Sequence, residues 1–250
     1  MSRSVLRIGG ADRVKFLQTL ITNDISHLDQ APVYAALLTP QGKFLADFFL
    51  IEDGDSILLD AHSDLAAGLM QRLTMYRLRA DVQIAMTDLK VTRGAGPMPK
   101  GAWADPRHPA LGWRLYGDTE TSETTDFDAI RVDNLIPEYP HELKPNESFI
   151  LEWQLDRLHG IDFRKGCYVG QEVTARMKHK TTLKKGIARL CLKGEAAPGT
   201  PITLDDGREI GTICTTSGPR ALAWLRYDLA DLPMNAAGHG VLLNWQPSDS

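Results

Sequence analysis

Apolar positions in the first ninety residues switch between two periods. Residues 5–8 form a short apolar run of strand length, and residues 12–22 carry Val14, Leu17 and Ile21 at the three- and four-residue spacing of a helix face. Residues 33–39, 43–51 and 56–61 are β-prone runs. Pro40-Gln41-Gly42 and Glu52-Asp53-Gly54-Asp55 separate them, which predicts an antiparallel meander. Ser63 is placed to cap a helix bearing Leu65, Leu69, Leu73 and Tyr76 on one side, and residues 80–86 return as a strand. Glycine and proline crowd residues 93–109, an exposed loop or a boundary between subdomains. Two short helices are expected over residues 127–135 and 151–158, the second stopping at His159-Gly160.

Beyond Lys180 the pattern changes to short strands only: residues 186–192, 201–204, 209–216, 221–227 and 240–245, with Asp205-Asp206-Gly207 as a tight turn. Such a run predicts a small β-barrel. The fold class is therefore α+β: antiparallel sheets with helices on one side, divided into an α+β region over residues 1–178, with two interleaved subdomains, and a C-terminal barrel over 179–250.

Charge narrows the function classes. The chain of 250 residues has a net charge of −4, which argues against a nucleic-acid binder. From Arg164 to Arg189, however, eight basic residues stand against Glu172 alone, a local net charge of +7. A focused basic stretch on an acidic chain fits a local anion site, and a solvated Lys-rich turn is the plainer alternative. No secretory leader and no apolar run of about 18 residues is found, so a cytoplasmic location without membrane contact is expected.

Cysteine and histidine spacing exclude other chemistry. Cys167, Cys191 and Cys214 include no Cys-x-x-Cys pair, so neither a disulfide framework nor a zinc ribbon is expected. Cys191 and Cys214 lie in apolar strand runs and read as small buried hydrophobes. The seven histidines show no metal-ligand spacing, and no phosphate-binding glycine loop occurs.

One octapeptide stands out: Lys165-Gly166-Cys167-Tyr168-Val169-Gly170-Gln171-Glu172. Two glycines four apart imply a tight loop, and it displays a cation, a thiol, a phenol, an amide and a carboxylate together. Read without any relative, it is either a reactive site or a connection between domains whose glycines only permit turning.

The octapeptide resembles the K-G-C-Y-x-G-Q-E signature of the YgfZ family, described as folate-binding and including mitochondrial iron–sulfur assembly factors. The resemblance extends to Gly10-Ala11-Asp12-Arg13, Phe16-Leu17 and Thr22-Asn23-Asp24, and to the hairpin Leu38-Thr39-Pro40-Gln41-Gly42-Lys43, covering roughly residues 4 to 245. It implies the three-part fold of the glycine-cleavage T-protein, an aminomethyltransferase. It also implies tetrahydrofolate or a one-carbon derivative as ligand, iron–sulfur assembly proteins or client enzymes as partners, and transient contact with an iron–sulfur cluster through Cys167.

Carried over position by position, Asp47 falls where the T-protein keeps its essential acid. Arg131-Val132-Asp133 and Tyr139 to Glu142 resemble the segment that lines the folate pocket there, with Asp133 replacing a glutamate. The implied folate-binding set is Asn23, Asp47, Arg131, Asp133, Tyr139 and Glu142. Lys178, Lys180, Lys184 and Lys185 are placed to meet a polyglutamate tail. Two departures argue against an active transferase: the chain opens almost directly on its first strand, and the thiol-bearing loop stands where the T-protein has another sequence. The leading expectation is a folate-binding protein supporting iron–sulfur assembly or repair without turnover of its own. A folate-dependent aminomethyltransferase using Asp47 is the alternative.

Overall fold

The computed structural model describes residues 2–118 and 125–245. By internal contacts the chain forms two compact units. One comprises Met1–Thr125, Pro145–Glu147 and Leu155–Ala175, and the other Asp126–Lys144, Ser148–Gln154 and Arg176–Ser250.

In the first unit the order is β1 (Arg3–Gly9), α1 (Arg13–Gln18), β2 (Val33–Leu38), β3 (Phe44–Asp53), β4 (Ser56–His62), α2 (Ser63–Tyr76) and β5 (Gln83–Met86). The strands make one antiparallel sheet ordered β2-β3-β4-β1-β5, with β1 inserted beside β4 after the meander is complete. One face packs Leu6, Ile8, Phe48, Leu50 and Leu59 against Leu17 and Ile21 from the α1 segment and Leu69 and Leu73 from α2. Removing each such side chain from water contributes about 1.5–3 kcal/mol. Helix α2 starts at the predicted place, but its cap is His62, whose Nδ1 accepts the Asp64 amide at 3.2 Å. The predicted helix over 12–22 is shorter because Ile21 leaves it to bridge Leu37 of β2.

The opposite face of this sheet carries Tyr34, Asp47, Phe49 and Asp60, all buried. Residues 93–109 and those after them account for that burial: Ala95 to Met98, Lys100 and Gly101 are exposed as a loop would be, whereas Asp105 and Arg107 turn inward. Strands β6 (Lys90–Gly94), β7 (Trp103–Ala104) and β8 (Trp113–Gly117) form a small sheet ordered β6-β8-β7. The guanidinium of Arg114 lies 3.7 Å from the Phe49 ring centroid and that of Arg107 at 4.9 Å, both fully buried. Asp60 accepts from Arg3 at 2.6 Å and from the Tyr116 hydroxyl at 3.0 Å, and Asp105 accepts from Arg107 at 2.9 Å. Strand β3 is thus covered on both faces, so it reads as an unbroken apolar run interrupted only by Asp47.

The second unit holds α3 (Phe127–Asn134), and α4 (Gln171–Lys180) runs from the first unit into it along the chain. Strands β9 (Lys185–Leu192), β10 (Pro201–Leu204), β11 (Glu209–Ser217), β12 (Arg220–Arg226), β13 (Met234–Ala236) and β14 (His239–Trp245) close a barrel ordered β10-β11-β12-β9-β14-β13. The five predicted strands are all present; β13 is too short to show a period. Ala188, Leu190, Ile202, Ile213, Ala223 and Leu225 fill its interior. Cys191 and Cys214 alternate with these inward residues and are half-buried, which corrects their reading as core.

The predicted helix over 151–158 is instead a series of turns. Gln154 and His159 adopt left-handed angles of φ 55° each, and the Glu152 carbonyl accepts the Ile187 amide at 2.8 Å rather than a helical partner. No helix among the described residues is long and apolar enough to cross a membrane.

Candidate functional site

Three segments singled out in the sequence meet in the first unit. The α1 segment ends with its last carbonyls unpaired, as any helix does, and Thr22-Asn23-Asp24 follows. Into this end reaches Lys165, whose Nζ donates to the carbonyls of Gln18 at 2.9 Å, Ile21 at 2.7 Å and Asn23 at 2.8 Å. The same ammonium lies 5.3 Å from the Tyr168 ring centroid. Lys165 is buried, and burial draws its pKa down to about 8 against the opposing pull of Asp24 and Asp162.

Thr22 and Asn23 tie the same region together. The Thr22 hydroxyl donates to the Gly160 carbonyl at 2.6 Å and accepts the Ala36 amide at 2.8 Å. Asn23 Nδ2 donates to the Tyr34 carbonyl at 2.8 Å and to the His159 carbonyl at 2.7 Å. Its amide donors are therefore committed inside the protein.

The third segment is the β2–β3 turn. A Cβ placed on Gly42 would stand 2.8 Å from Val173 Cβ, and one on Gly170 would stand 2.6 Å from the Thr39 carbonyl oxygen. Both glycines have positive φ, 76° and 84°. The motif loop is thereby clamped at both ends, by Lys165 and by Gly170, and Tyr168 is buried between them. Gly166 and Cys167 are the two exposed residues of this stretch, immediately before α4 begins at Gln171. Sequence adjacency placed two cations beside the thiol. The structure turns Lys165 inward, leaving exposed Arg164 on the solvent side.

The implied folate residues are divided between the units: Asn23 and Asp47 in the first, Arg131, Asp133, Tyr139 and Glu142 in the second. Asp47 is buried and its Oδ2 accepts the Tyr34 hydroxyl at 2.9 Å; its Oδ1 accepts no hydrogen bond among the described residues. Arg131 and Glu142 form a buried ion pair. Arg131 also donates to Ile136 O at 3.2 Å and Asp128 at 2.7 Å, while Glu142 accepts the Thr215 hydroxyl at 2.5 Å and the Glu138 amide at 2.9 Å. Burial pushes the Glu142 carboxyl up despite Arg131. Asp133 is half-exposed, paired with Arg220, and its backbone carbonyl accepts from Arg189 at 2.5 Å. Asp47 thus has one oxygen without a hydrogen-bond donor among the described residues, whereas Arg131 and Glu142 are satisfied by one another.

Lys178, Lys180, Lys184 and Lys185 are all exposed, the last lying 3.7 Å from Glu152 and over the Trp224 ring at 5.1 Å. Among the described residues no cluster of three or more His, Cys, Asp or Glu side chains is arranged to hold a metal ion. Sequence reasoning missed Arg107 and Arg114. Their signal was a strand-like alternation in Trp113-Arg114-Leu115-Tyr116, hidden behind a stretch rich in glycine and proline.

Comparison with known proteins bears on this geometry. Residues 184–248 match the family model "CAF17, C-terminal beta-barrel domain". The chain is 34% identical over 221 residues to the iron–sulfur cluster assembly factor IBA57 homolog, mitochondrial, of Mycosarcoma maydis, an alignment covering 75% of this chain and 55% of that protein. It is 27% identical to the mitochondrial IBA57 factor of Mus musculus, over 98% of this chain and 84% of that one. The chain therefore spans little more than half the length of the first relative and most of the second. These relatives are mitochondrial by name, which overturns the expected cytoplasmic location; composition does not separate one aqueous compartment from another. Among solved structures, the glycine cleavage system aminomethyltransferase T from Bartonella henselae superposes with a TM-score of 0.73 at 12% identity, covering 98% of this chain and 83% of that one. The chain has the aminomethyltransferase fold with a CAF17-type C-terminal barrel, and in sequence it is similar to the IBA57 iron–sulfur assembly factors.

Proposed function

We propose that this protein is an iron–sulfur cluster assembly factor of the IBA57 and YgfZ kind, in which Cys167 contacts a cluster in transit. The observation that carries this reading is the clamped loop, which holds Gly166-Cys167 in solvent between two buried anchors, in a chain similar to factors of that name. An iron–sulfur cluster takes four ligands. One exposed thiol fits a cluster shared with a partner protein rather than a resident one, and the cluster is therefore cargo. Cells lacking their own factor and supplied with the wild-type chain should recover iron–sulfur enzyme activities. Cys167→Ser should fold equally well and fail to restore them; full restoration by Cys167→Ser overturns the role of the thiol.

Reduced folate is the second part of the proposal. The aminomethyltransferase fold and the acceptor on buried Asp47 that takes no hydrogen bond among the described residues support it. A modest affinity in the micromolar range, about −8 kcal/mol, is expected for an apolar site with few convergent polar groups. Calorimetry with tetrahydrofolate and its 5-formyl and 5,10-methylene forms tests it, and no heat at millimolar ligand rejects it. A polyglutamylated form should bind more tightly at low salt if Lys178, Lys180, Lys184 and Lys185 meet the tail, each exposed pair contributing at most ~1 kcal/mol.

A further inference from the structure

The Gly10-Ala11-Asp12-Arg13 pattern lies outside the thiol site, and what it does is hold a different piece of surface. Gly10 approaches the backbone of Asp81 so closely that a Cβ there would stand 2.2 Å from the Asp81 carbonyl oxygen, and its φ is 99°. The Asp12 amide donates to that carbonyl at 3.1 Å, and Asp12 Oδ2 accepts the Asp81 amide at 2.9 Å. From the other side Arg77 Nη1 donates to the Val82 carbonyl at 3.1 Å, and the Ala80 amide donates to the Arg77 carbonyl at 2.9 Å. The turn that follows α2 is therefore fixed on both sides.

What this fixed turn presents is an apolar knob. Leu78 is 87% exposed and adopts φ 48°, a left-handed conformation that costs a branched apolar residue about 1–2 kcal/mol. Met75 on α2 is 68% exposed. Holding an apolar side chain in water on strained backbone opposes stability twice, and strain of this kind concentrates where a surface is used. Arginines predominate among the charges around it, and the two acids of the turn, Asp12 and Asp81, accept backbone amides within it. Between Leu65 and Ala80 the sequence has Arg72, Arg77 and Arg79 and no acidic residue, in a chain whose net charge is −4. Arg72 and Arg79 are exposed, and neither meets a carboxylate among the described residues.

We propose that this end of α2, with Met75 and Leu78 set between Arg72 and Arg79, is a docking surface for an acidic segment of a protein partner, one that offers apolar side chains flanked by carboxylates. The apolar pair supplies contact area and the two arginines complementary charge. The inference stands apart from the thiol and folate readings, since none of its residues belongs to either.

The test is photo-crosslinking in living cells that express the full chain with Met75→p-benzoylphenylalanine, set against Leu232→p-benzoylphenylalanine, another exposed apolar position. The expected result is an adduct specific to the Met75 probe, mapped by mass spectrometry to a segment of a second protein with an excess of Asp and Glu. Charge reversal with Arg72→Glu and Arg79→Glu should reduce the adduct about tenfold, the loss of two exposed ion pairs. Leu78→Asn suits left-handed backbone, so it should fold with an equal or higher melting temperature and still weaken the adduct. Four results overturn the proposal: equal labelling from both probe positions, adducts only with a second copy of this chain, indifference to charge reversal, or Arg-dependent binding to phosphatidylglycerol vesicles with no protein adduct.

Discussion

Gly42 and Gly170 meet without side chains between them: a Cβ on Gly170 would lie 3.2 Å from Gly42 Cα. The turn of one hairpin and the end of the thiol loop, 128 positions apart in numbering, are thereby held at backbone distance. The two signatures recognised separately in the sequence are two sides of one contact. Together with the Lys165 cage they fix the position of Cys167 without touching it.

Gly170→Ala should therefore be damaging. The new methyl would meet the Thr39 carbonyl oxygen at 2.6 Å on backbone with φ 84°, combining left-handed strain with overpacking. About 2–4 kcal/mol of destabilisation is expected. Gly166→Ala, four positions earlier, meets nothing within 4 Å and should cost less than about 1 kcal/mol. Urea unfolding of the two variants checks the contrast, and equal midpoints would falsify the interlock.

Lys165→Met should destabilise through the groups it leaves behind. Three carbonyls lose their donor, and each unsatisfied buried group costs about 1–3 kcal/mol where water cannot replace it. The sign of the pH dependence follows from linkage. The folded-state pKa of about 8 lies below the ordinary lysine value of 10.5, so the native protein binds fewer protons than the unfolded chain between those values. The penalty for burying the ammonium is present in full below about pH 8, and stability rises as pH climbs from there toward 10.5. Relative to Lys165→Met, the wild type should gain stability between pH 7.5 and about pH 10. A constant difference across that range would show that Lys165 titrates as an ordinary lysine.

Much of this architecture was legible because its cues are local. The meander, α2 and five barrel strands followed from periods of two and 3.6 residues and from turn residues such as Asp205-Asp206-Gly207. What was not legible depends on long-range partners. Lys165 looks like a solvated cation until three carbonyls 142 or more positions away are brought to it. Arg107 lies in the stretch that reads as a loop or boundary and Arg114 beyond it has no predicted element, because nothing in their own segment reveals that Phe49 will lie beneath them. The stretch 151–158 has a helical period, but left-handed Gln154 and the Glu152–Ile187 hydrogen bond divert its backbone. The motif loop was found as a pattern, whereas the exposure of Cys167 between two buried anchors needed the structure.

Arg131 and Glu142 separate a structural role from a ligand-binding one. Both are fully buried and each satisfies the other, so Arg131→Met leaves a carboxylate without its cation. A loss of about 3–5 kcal/mol is expected, against ~1 kcal/mol for Thr215→Val, which removes one hydrogen bond from the same network. If Arg131→Met folds normally and loses only folate affinity, the guanidinium serves the ligand and the ion pair is secondary. Thermal melts and calorimetry on the same samples tell these apart.

The three cysteines should differ in reactivity for reasons the structure now supplies. Cys167 is exposed on a loop whose backbone is fixed on either side, so reagents reach it without local unfolding. Cys214 is half-buried on the barrel. Its thiol is pushed up to about 12, first by burial and then by the nearby Glu142 carboxylate, and Sγ donates to the Thr212 carbonyl at 3.6 Å. At pH 8 Cys214 is therefore held almost wholly as the thiol, not as the thiolate that attacks an alkylating reagent. Cys191 sits at the end of the β9–β12 ladder opposite Arg220 and within the β9–β14 ladder opposite Leu242, half-buried on fixed strand backbone rather than on an open loop. Brief treatment of native protein with iodoacetamide, followed by peptide mass mapping, should find Cys167 labelled first and Cys214 last, with all three equal in urea. Labelling of Cys214 at a rate comparable to Cys167 in native protein would mean that the barrel opens readily, and would remove the basis for treating Cys167 as the distinctive thiol.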